Sequence, residues 1–320
     1  MVRNAESPGE IFAYVASESD SQFKRVWAHV TEQTQVLTFS QAPARVKLHI
    51  VASKFRRLFH TLPGVIQLPF GSWWLLRGSA LDESLLTGNF ELAETAFLQR
   101  YLHSGMTILD VGAHHGYYAL LASRAVGAGG KVIAFEPSPK ERVRLQQHLQ
   151  LNGCVNVQIE SFALEAVEDE KELYLVDGAE DYCNSLRPPV VNAETTTINV
   201  KTTTLDKFLH NHRIDKVDFI KMDVEGAELN ALSGAKEILA KRPRPVLLVE
   251  LYDMRTAPWG YAAREVVQLL AKQGYSWYEI RLDGTLASVE ADRDVYDANL
   301  VAIPPERKQD VFKRVAEERV

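Results

Sequence analysis

The segment richest in chemical information is a glycine-containing turn that ends a short apolar run. The turn reads DVGAHHG (110–116) and follows the residues TIL. Gly112 permits a sharp change of direction, and the small residues Ala113 and Gly116 allow the backbone to approach a ligand closely. Asp110 stands where the run ends, and its carboxylate suits a cationic group. The pattern therefore predicts a pocket for a small ligand, with this turn as part of its wall.

The same turn separates two classes of cofactor. A dinucleotide-binding turn has the pattern G-x-G-x-x-G, so that a pyrophosphate rests on the N-terminus of the next helix. The first glycine of that pattern is absent here, and the acid Asp110 is a poor neighbour for a pyrophosphate. Asp110 suits the ammonium group of a methionine moiety instead, directly or through water. The turn thus favours S-adenosylmethionine over NAD.

A second acid, Glu136, ends the next apolar run, KVIAFE (131–136). A carboxylate at this position can accept hydrogen bonds from both ribose hydroxyls, and an acid has the same role in NAD proteins. Glu136 therefore supports an adenosine site without choosing the cofactor. Together with the turn it predicts an S-adenosylmethionine-dependent methyltransferase. A non-catalytic S-adenosylmethionine-binding module and an NAD-dependent oxidoreductase stay as alternatives.

Asp223 is the predicted catalytic residue. It ends the run VDFIKMD (217–223), at the edge of the sheet where the transferred methyl group should lie. Methyl transfer is an in-line displacement, so the protein supplies alignment and, for a hydroxyl acceptor, a general base. Asp223 can instead cap the next helix or orient the cofactor. Glu225 is a second candidate base, although its position also suits the first turn of that helix.

Metal assistance is a further alternative. Asp223 and Glu250 end neighbouring strands and Asp253 lies just beyond, so their oxygens could hold Mg²⁺ and acidify a bound hydroxyl. Capping alone also explains acids at strand ends, and the prediction includes no metal site. His114 and His115 are adjacent in the chain, so we expect them to project differently and to form a poor metal pair.

Apolar runs alternate with helical segments after residue 105, which predicts a parallel sheet with helices on both faces. The runs are TILDVG (107–112), KVIAFE (131–136), VNVQIE (155–160), VDFIKMD (217–223) and PVLLVEL (245–251). No helix of ordinary length separates YSWYEI (275–280) from ANLVAIP (298–304), so the last strand is expected to be antiparallel. The predicted fold class is α/β: a class I methyltransferase Rossmann-like doubly wound sheet, mostly parallel with an antiparallel last strand, plus an N-terminal helical and hairpin extension.

Local signals predict individual helices. The segment SPKE (138–141) has the spacing of a capping box, with proline at the first helical position. Further helices are expected at about 226–241 and 261–273.

The N-terminal part differs in character from the rest of the chain. The segment VIQLPFGSWWLLRGSA (65–80) predicts a hairpin. Neighbours on a strand face opposite sides, so one of Trp73 and Trp74 is expected to be buried and the other exposed. The predicted domains are an N-terminal helical and hairpin extension (1–88) and an S-adenosylmethionine-binding methyltransferase domain (89–320).

Composition and charge limit the expected partners. The net charge of −6 leaves no global basic excess for nucleic-acid phosphates, so no nucleic acid is expected. No apolar run approaches the roughly 18 residues of a membrane span, so no membrane partner is expected. The N-terminus has no apolar signal core and there are two cysteines, which favours a cytoplasmic location. The expected partner is a small-molecule or glycan acceptor, with a homodimer left open.

Three segments make the chain similar to a known family: MTILDVGAHHGYYALLASRAVGAGGKVIAFEPSP (106–139), DKVDFIKMDVEGAELNALSGA (215–235) and PVLLVEL (245–251). The chain resembles the FkbM family of S-adenosylmethionine-dependent methyltransferases over about residues 65–303, and DVEGAE is the most specific motif. Glu91 also falls where that family carries an acid ahead of the first core helix.

The resemblance implies a set of cofactor contacts, namely Asp110, Gly112, Ala113, Gly116, Glu136 and Pro137, with Ala163 near the adenine. The family usually has asparagine at the position of His114, which leaves no side-chain contact to carry over there. Known members methylate hydroxyl groups, so the resemblance implies O-methylation of a hydroxyl on a small molecule or sugar.

Overall fold

The computed structural model of the chain describes residues 64–176, 181–189, 191, 193–290 and 293–317. The helical part of the expected N-terminal extension precedes residue 64 and so lies outside the described residues. From Val65 onward the chain forms one compact unit. The domain boundary between residues 88 and 89 stays a prediction.

Thirteen strands are present in the described residues. In chain order they are β1 (Gly64–Gln67), β2 (Trp73–Leu76), β3 (Thr107–Val111), β4 (Lys131–Phe135), β5 (Val157–Glu160), β6 (Ala163–Leu164), β7 (Asp169–Val176), β8 (Thr195–Thr203), β9 (Phe219–Met222), β10 (Val246–Tyr252), β11 (Ser276–Ile280), β12 (Leu286–Ser288) and β13 (Asp297–Ile303). Eight of them form the central sheet, in the order β12-β11-β13-β10-β9-β3-β4-β5.

The central sheet has the predicted mixture of directions. Strands β3, β4, β5, β9 and β10 pair in parallel, whereas β13 is antiparallel to β10 and β11. This arrangement confirms the predicted fold class, including the antiparallel addition near the end of the chain. The sequence did not predict β12, which pairs antiparallel with β11. In the register between β3 and β9, Asp110 lies opposite Lys221.

Ten α-helices accompany these strands in the described residues. They are α1 (Ala80–Thr87), α2 (Leu92–Tyr101), α3 (Tyr117–Val126), α4 (Pro139–Leu151), α5 (Leu205–Asn211), α6 (Glu228–Ser233), α7 (Lys236–Ala240), α8 (Asp253–Thr256), α9 (Ala263–Lys272) and α10 (Lys308–Ala316). Among the helices described, none has the length and apolar character that crossing a bilayer requires.

Both faces of the central sheet are buried. On β3, Ile108 belongs to one apolar core and Leu109 to the other, and both are at most 2% exposed. Helices α2, α3, α4 and α10 contribute to the first core, and α5, α6, α7 and α9 to the second. Burial on both faces explains why these strands are almost continuously apolar in the sequence.

The predicted hairpin is confirmed as a two-stranded sheet of β1 and β2. Trp74 is fully buried and Trp73 is 45% exposed, as the alternation along a strand requires. Trp74 Nε1 donates a 2.8 Å hydrogen bond to Asp82 in the first turn of α1. The hairpin is thereby joined to the helix that follows it.

A third sheet, with three strands in the order β6-β8-β7, was not predicted. Strands β7 and β8 are polar, and many of their side chains are exposed, so they lack the apolar run that identifies a buried strand. The sheet holds Ala163, on β6, at the edge of the molecule where β3 and β4 end. It therefore helps to build the site described below.

Two local predictions need correction. The helix expected at 226–241 is divided into α6 and α7, with Gly234 between them, where a Cβ would lie 2.2 Å from the Glu165 carbonyl oxygen.

The capping box predicted at the start of α4 is only half formed. Ser138 Oγ accepts from the Glu141 N–H at 3.4 Å. The reciprocal contact of a capping box, from the Ser138 N–H to the Glu141 side chain, is absent, because that side chain forms a hydrogen bond with His115 instead. The helix expected at 261–273 is confirmed as α9.

Candidate functional site

A cleft of about 380 Å³ opens at the carboxyl ends of β3, β4, β9 and β10. Open α/β sheets bind ligands at this edge, and the volume is typical of small-molecule sites, roughly 300–1,000 Å³. Acids outnumber bases on its wall within the described residues. The charged side chains there are Glu91, Glu136, Asp223, Glu225 and Glu250 with Lys221 and Arg255.

The turn after β3 reaches the cleft because Gly112 has a left-handed conformation, with φ 81°. A Cβ at this position would lie 1.7 Å from the Asp223 carbonyl oxygen, so a larger residue would displace the end of β9. The N–H groups of Gly112 and Ala113 donate to the Phe135 carbonyl at 3.0 and 2.9 Å. The turn is thus fixed between the ends of β4 and β9, and Ala113 lines the cleft.

Gly116 has a packing role in the structure. It precedes α3 with φ 92°, and a Cβ there would lie 2.4 Å from Leu145 Cδ1. The residue does not line the cleft. The glycine therefore allows α3 to pack against α4, whether or not it also contacts the cofactor.

Glu136 lies where β4 ends, and it is 5% exposed. Its Oε1 accepts from the Ser138 N–H and its Oε2 from the His114 N–H, both at 2.8 Å. Burial raises the pKa of Glu136 to about 7, against the opposing effect of these two hydrogen bonds. Each carboxylate oxygen can accept more than one hydrogen bond. The ionised side chain can therefore accept ribose hydroxyls without releasing the backbone.

Asp110 lies behind the cleft wall. It is 1% exposed, does not line the cleft, and its carboxyl oxygens make no hydrogen bond of ordinary geometry to the described residues. Burial raises the pKa of Asp110 to about 6, although Lys221 opposes the rise. A contact between this carboxyl and a bound ligand would have to pass through the turn or a water molecule.

Asp223 follows β9 and lines the cleft, with 26% of its side chain exposed. Lys221 Nζ donates to Asp223 Oδ2 at 2.8 Å and lies 4.8 Å from the centre of the Tyr118 ring. Burial alone would raise the pKa of Asp223, but the charge and hydrogen bond of Lys221, together with a hydrogen bond to Glu250, hold this pKa below its ordinary value. Asp223 and two other nearby acids in turn raise the pKa of Lys221 despite its burial. The cleft therefore holds an ionised aspartate beside a buried ammonium at neutral pH.

Two further carboxyls lie beside Asp223. One oxygen from each of Asp223, Glu225 and Glu250 lies within 4.8 Å of the others. Burial, and then the charge of Asp223, raise the pKa of Glu225 to about 8 and that of Glu250 well above its ordinary value. Arg255 Nε forms an ion pair with Glu225 Oε2 at 3.0 Å. Carboxyls this close cannot all be ionised, so this carboxyl cluster holds protons at neutral pH.

The structure corrects two expectations about this cluster. Glu225 is not in the first turn of a helix, because it has φ 53° and α6 begins at Glu228. Asp253 does not join Asp223, because its side chain accepts from the Ala263 N–H at 2.9 Å and the Tyr296 N–H at 2.8 Å. Glu225 therefore takes the place beside Asp223 and Glu250 that the sequence had suggested for Asp253.

Left-handed backbone is concentrated at the cleft. Four described non-glycine residues have a positive φ, and three of them, Glu91, His114 and Glu225, line the cleft. Such conformations cost about 1–3 kcal/mol each and persist mainly at functional sites. Glu91 accepts a hydrogen bond from the Tyr118 hydroxyl. Burial raises the pKa of Glu91 to about 7, although Lys221 opposes it.

The expectation that His114 and His115 project differently was wrong. Their rings stack with centroids 3.7 Å apart, because the left-handed backbone of His114 turns both side chains to one side. His115 Nε2 forms a hydrogen bond with Glu141 Oε2, and His114 Nε2 lies 3.7 Å from the same oxygen. Burial lowers the pKa of His114 to about 3 and that of His115 to about 2. Both imidazoles are therefore neutral at pH 7.

A sequence model of the methyltransferase FkbM domain matches residues 110–277, which is more than half of the chain. The chain belongs to the FkbM methyltransferase family. Membership confirms the resemblance seen in the sequence, and S-adenosylmethionine is the cofactor that this resemblance implies. The cleft fits such a group, since the glycine turn lines it through Gly112 and Ala113 and the Glu136 carboxylate has hydrogen-bonding capacity to spare.

Similar proteins include the AMB antimetabolite synthetase AmbE of Pseudomonas aeruginosa, 26% identical in an alignment of 219 residues that covers 57% of this chain and 10% of that protein. The FkbM methyltransferase structure from Methylobacillus flagellatus is 17% identical, with a TM-score of 0.41 over 70% of this chain and 53% of that one. An S-adenosylmethionine-dependent O-methyltransferase of Thermotoga maritima is 17% identical, with a TM-score of 0.37 over 77% and 79%. The chain thus spans a tenth of the first relative and about half of the second.

Most of the predicted site residues of this FkbM methyltransferase meet in one place. Those that line the cleft are Gly112, Ala113, Glu136, Pro137, Ala163 and Asp223. Asp110 and Gly116 lie behind the wall. Their individual roles in cofactor binding and catalysis stay predictions.

Sequence reasoning missed three contributors to the cleft of this FkbM methyltransferase. Lys221 had a readable signal, because a lysine inside the apolar run VDFIKMD is unusual for a buried strand. Arg255, which follows β10, had none. Ser185 belongs to a segment between β7 and β8, and its Oγ donates to the Glu225 carbonyl at 3.0 Å. That segment reaches the cleft through the small sheet, which the sequence did not reveal.

Proposed function

We propose that this FkbM methyltransferase transfers the methyl group of S-adenosylmethionine to a hydroxyl group of a small molecule or glycan. The observation that carries the proposal is the carboxyl cluster of Asp223, Glu225 and Glu250 at the edge of the cofactor cleft. A hydroxyl oxygen is a poor nucleophile unless a base removes its proton as the new bond forms. Acids whose pKa values are spread around neutrality are suited to that task.

The cofactor supplies an electrophilic methyl group on a sulfonium, so the chain has only to bind and align it. We assign its ribose to Glu136, which has acceptor capacity left beyond its two backbone bonds. Pro137 and Ala163 offer small apolar walls suited to an adenine ring. The backbone of Gly112 lies against the Asp223 carbonyl, so a methyl donor bound over this turn has the carboxyl cluster beside it.

Asp223 is the proposed catalytic residue. It is ionised at neutral pH, partly exposed, and held by Lys221 through one oxygen, so it can accept a hydrogen bond from the acceptor hydroxyl and orient it. Lys221 lowers the pKa of Asp223, which makes it a weak base on its own. Glu225 is the stronger base when ionised, because its pKa is about 8. Turnover should therefore increase as the pH rises towards that value.

The acceptor side of the cleft suits a polyhydroxylated molecule. Tyr182, Asn184 and Ser185 add hydroxyl and amide groups to its wall. The net charge of −6 disfavours a nucleic acid, and the proposal includes neither a nucleic acid nor a membrane. A cytoplasmic site of action and a homodimer remain predictions from the sequence.

The proposal is tested with S-adenosylmethionine labelled in the methyl group and a panel of sugars and hydroxylated small molecules. We expect a labelled methyl ether, identified by NMR, and a large loss of turnover in Asp223→Asn at unchanged cofactor affinity. Asp215→Asn is the matched control, because its side chain is 93% exposed and far from the proposed chemistry. Cofactor binding without turnover on any acceptor would favour the non-catalytic module, and a methylated nitrogen would contradict the proposal.

A further inference from the structure

We propose that His114, His115 and Glu141 bind a zinc-like divalent transition-metal ion at the wall of the cleft. One ligand atom from each residue lies within 4.8 Å of the other two. The side chains of His115 and Glu141 are 1% exposed, and that of His114 is 20% exposed. Two imidazoles and one carboxylate form a donor set that Zn²⁺ uses in proteins. The proposal does not depend on methyl transfer.

The spacing of the donor atoms suits an ion of this size. His114 Nε2 lies 3.7 Å from Glu141 Oε2. An ion about 2.1 Å from both atoms would make an angle of roughly 120° with them, which a distorted tetrahedral site accommodates. His115 Nε2 and Glu141 Oε2 are joined by a hydrogen bond. The ion would take the place of the proton on His115 Nε2, which would move to Nδ1 as the neutral imidazole changes tautomer, and the two atoms would separate to about 3.4 Å.

A second observation is the state of the imidazole nitrogens. Within the described part of the chain, His114 Nε2 and His115 Nδ1 are buried and make no hydrogen bond. A buried polar atom without a partner costs about 1–3 kcal/mol, so this arrangement is unfavourable by itself. Coordination of an ion by His114 Nε2, which lies 3.7 Å from Glu141 Oε2, would remove the deficit at that atom.

The surrounding residues hold the donors in place and leave a path for the ion. The left-handed backbone of His114 and the stacking of the two rings fix both imidazoles on one side of the turn. Glu141 is fixed at the first turn of α4, and the nearby cation Arg144 is paired with Asp82 at 3.3 Å. His114 and His115 line the cleft, so the ion can enter from there and keep a position for water.

The test is calorimetric titration of Zn²⁺ into full-length protein that carries no histidine tag. We expect one equivalent to bind, with the affinity of His114→Asn and Glu141→Gln lowered at least roughly 10- to 100-fold, the loss that follows when only a partner of a metal ligand is changed. His210→Asn is the control, because His210 is exposed and remote from the site. If Glu141→Gln does not fold, His114→Asn decides, since its side chain is partly exposed.

Two outcomes would overturn the proposal. The first is equal Zn²⁺ affinity in wild type and His114→Asn, or no binding, which would leave only a hydrogen bond between His115 and Glu141. The second comes from Co²⁺ substitution. Nitrogen and oxygen donors give ligand-field bands alone, whereas a thiolate charge-transfer band would assign the ion to Cys154 or Cys183.

Discussion

Replacing Glu136 by glutamine tests the assignment of the cofactor ribose to the end of β4. Glutamine keeps the size of the side chain but loses its charge, and its amide NH₂ cannot accept a hydrogen bond. In the structure both carboxylate oxygens accept backbone N–H groups, from Ser138 and His114, at 2.8 Å. A glutamine would place its NH₂ against one of these donors and leave one acceptor for the ribose.

The expected loss follows from the hydrogen bonds to a charged acceptor, which contribute about 1.5–3 kcal/mol each, against about 1 kcal/mol for a neutral one. Losing one ribose bond and weakening the other should cost about 2–5 kcal/mol. At about 1.4 kcal/mol per factor of ten, the dissociation constant of the cofactor should rise roughly 30- to 4,000-fold.

The assay is calorimetric titration of S-adenosylhomocysteine at pH 8.5, above the pKa of Glu136, which is about 7. Wild-type affinity should increase as the pH rises through 7, and the glutamine variant should lose that dependence. Glu160→Gln is the control, because Glu160 ends the neighbouring strand β5 and does not line the cleft. A change below about threefold in folded Glu136→Gln, near 0.6 kcal/mol, would refute the assignment.

Other predictions concern the base, the turn and the buried acids. Glu225→Gln should flatten the rise of kcat with pH near 8, and an unchanged pH profile would exclude Glu225 as the base. Gly112→Ala should lower the melting temperature and abolish cofactor binding, because its Cβ would meet the Asp223 carbonyl, whereas Gly129→Ala, with open space around it, should change neither. Burial raises the pKa of Glu91 and Glu228 to about 7, so the folded state binds protons more tightly than the unfolded state. The melting temperature of the ligand-free protein should therefore rise as the pH falls from about 8 to 6.5, and a fall measured by calorimetry over that interval would contradict this.

The sequence predicts the central sheet and the cofactor turn well, because burial and sterics restrict the residues there. Strands covered on both faces must be apolar throughout, which makes β3, β4, β9 and β10 easy to recognise. Gly112 is equally restricted, since the backbone of β9 leaves no room for a Cβ. Positions where burial or close main-chain contact restricts the residue type can therefore be recognised from the sequence.

Other parts of the site depend on tertiary context. Strands β7 and β8 are polar and half exposed, so their contribution to the cleft has no apolar signature. Glu225 and His114 have left-handed backbone, which sequence spacing does not reveal for residues other than glycine. That conformation explains both why Glu225 joins Asp223 and why the two histidines stack.

The proposed role of the carboxyl cluster is tested most directly by the position of the sulfur atom in a crystal structure with S-adenosylhomocysteine. We expect the ribose hydroxyls to bond Glu136 and the sulfur to face Asp223. Between them there should be room for a methyl group and for an acceptor oxygen roughly 3–3.5 Å from it. A sulfur atom directed away from Asp223, Glu225 and Glu250 would contradict the claim that these acids handle the acceptor hydroxyl.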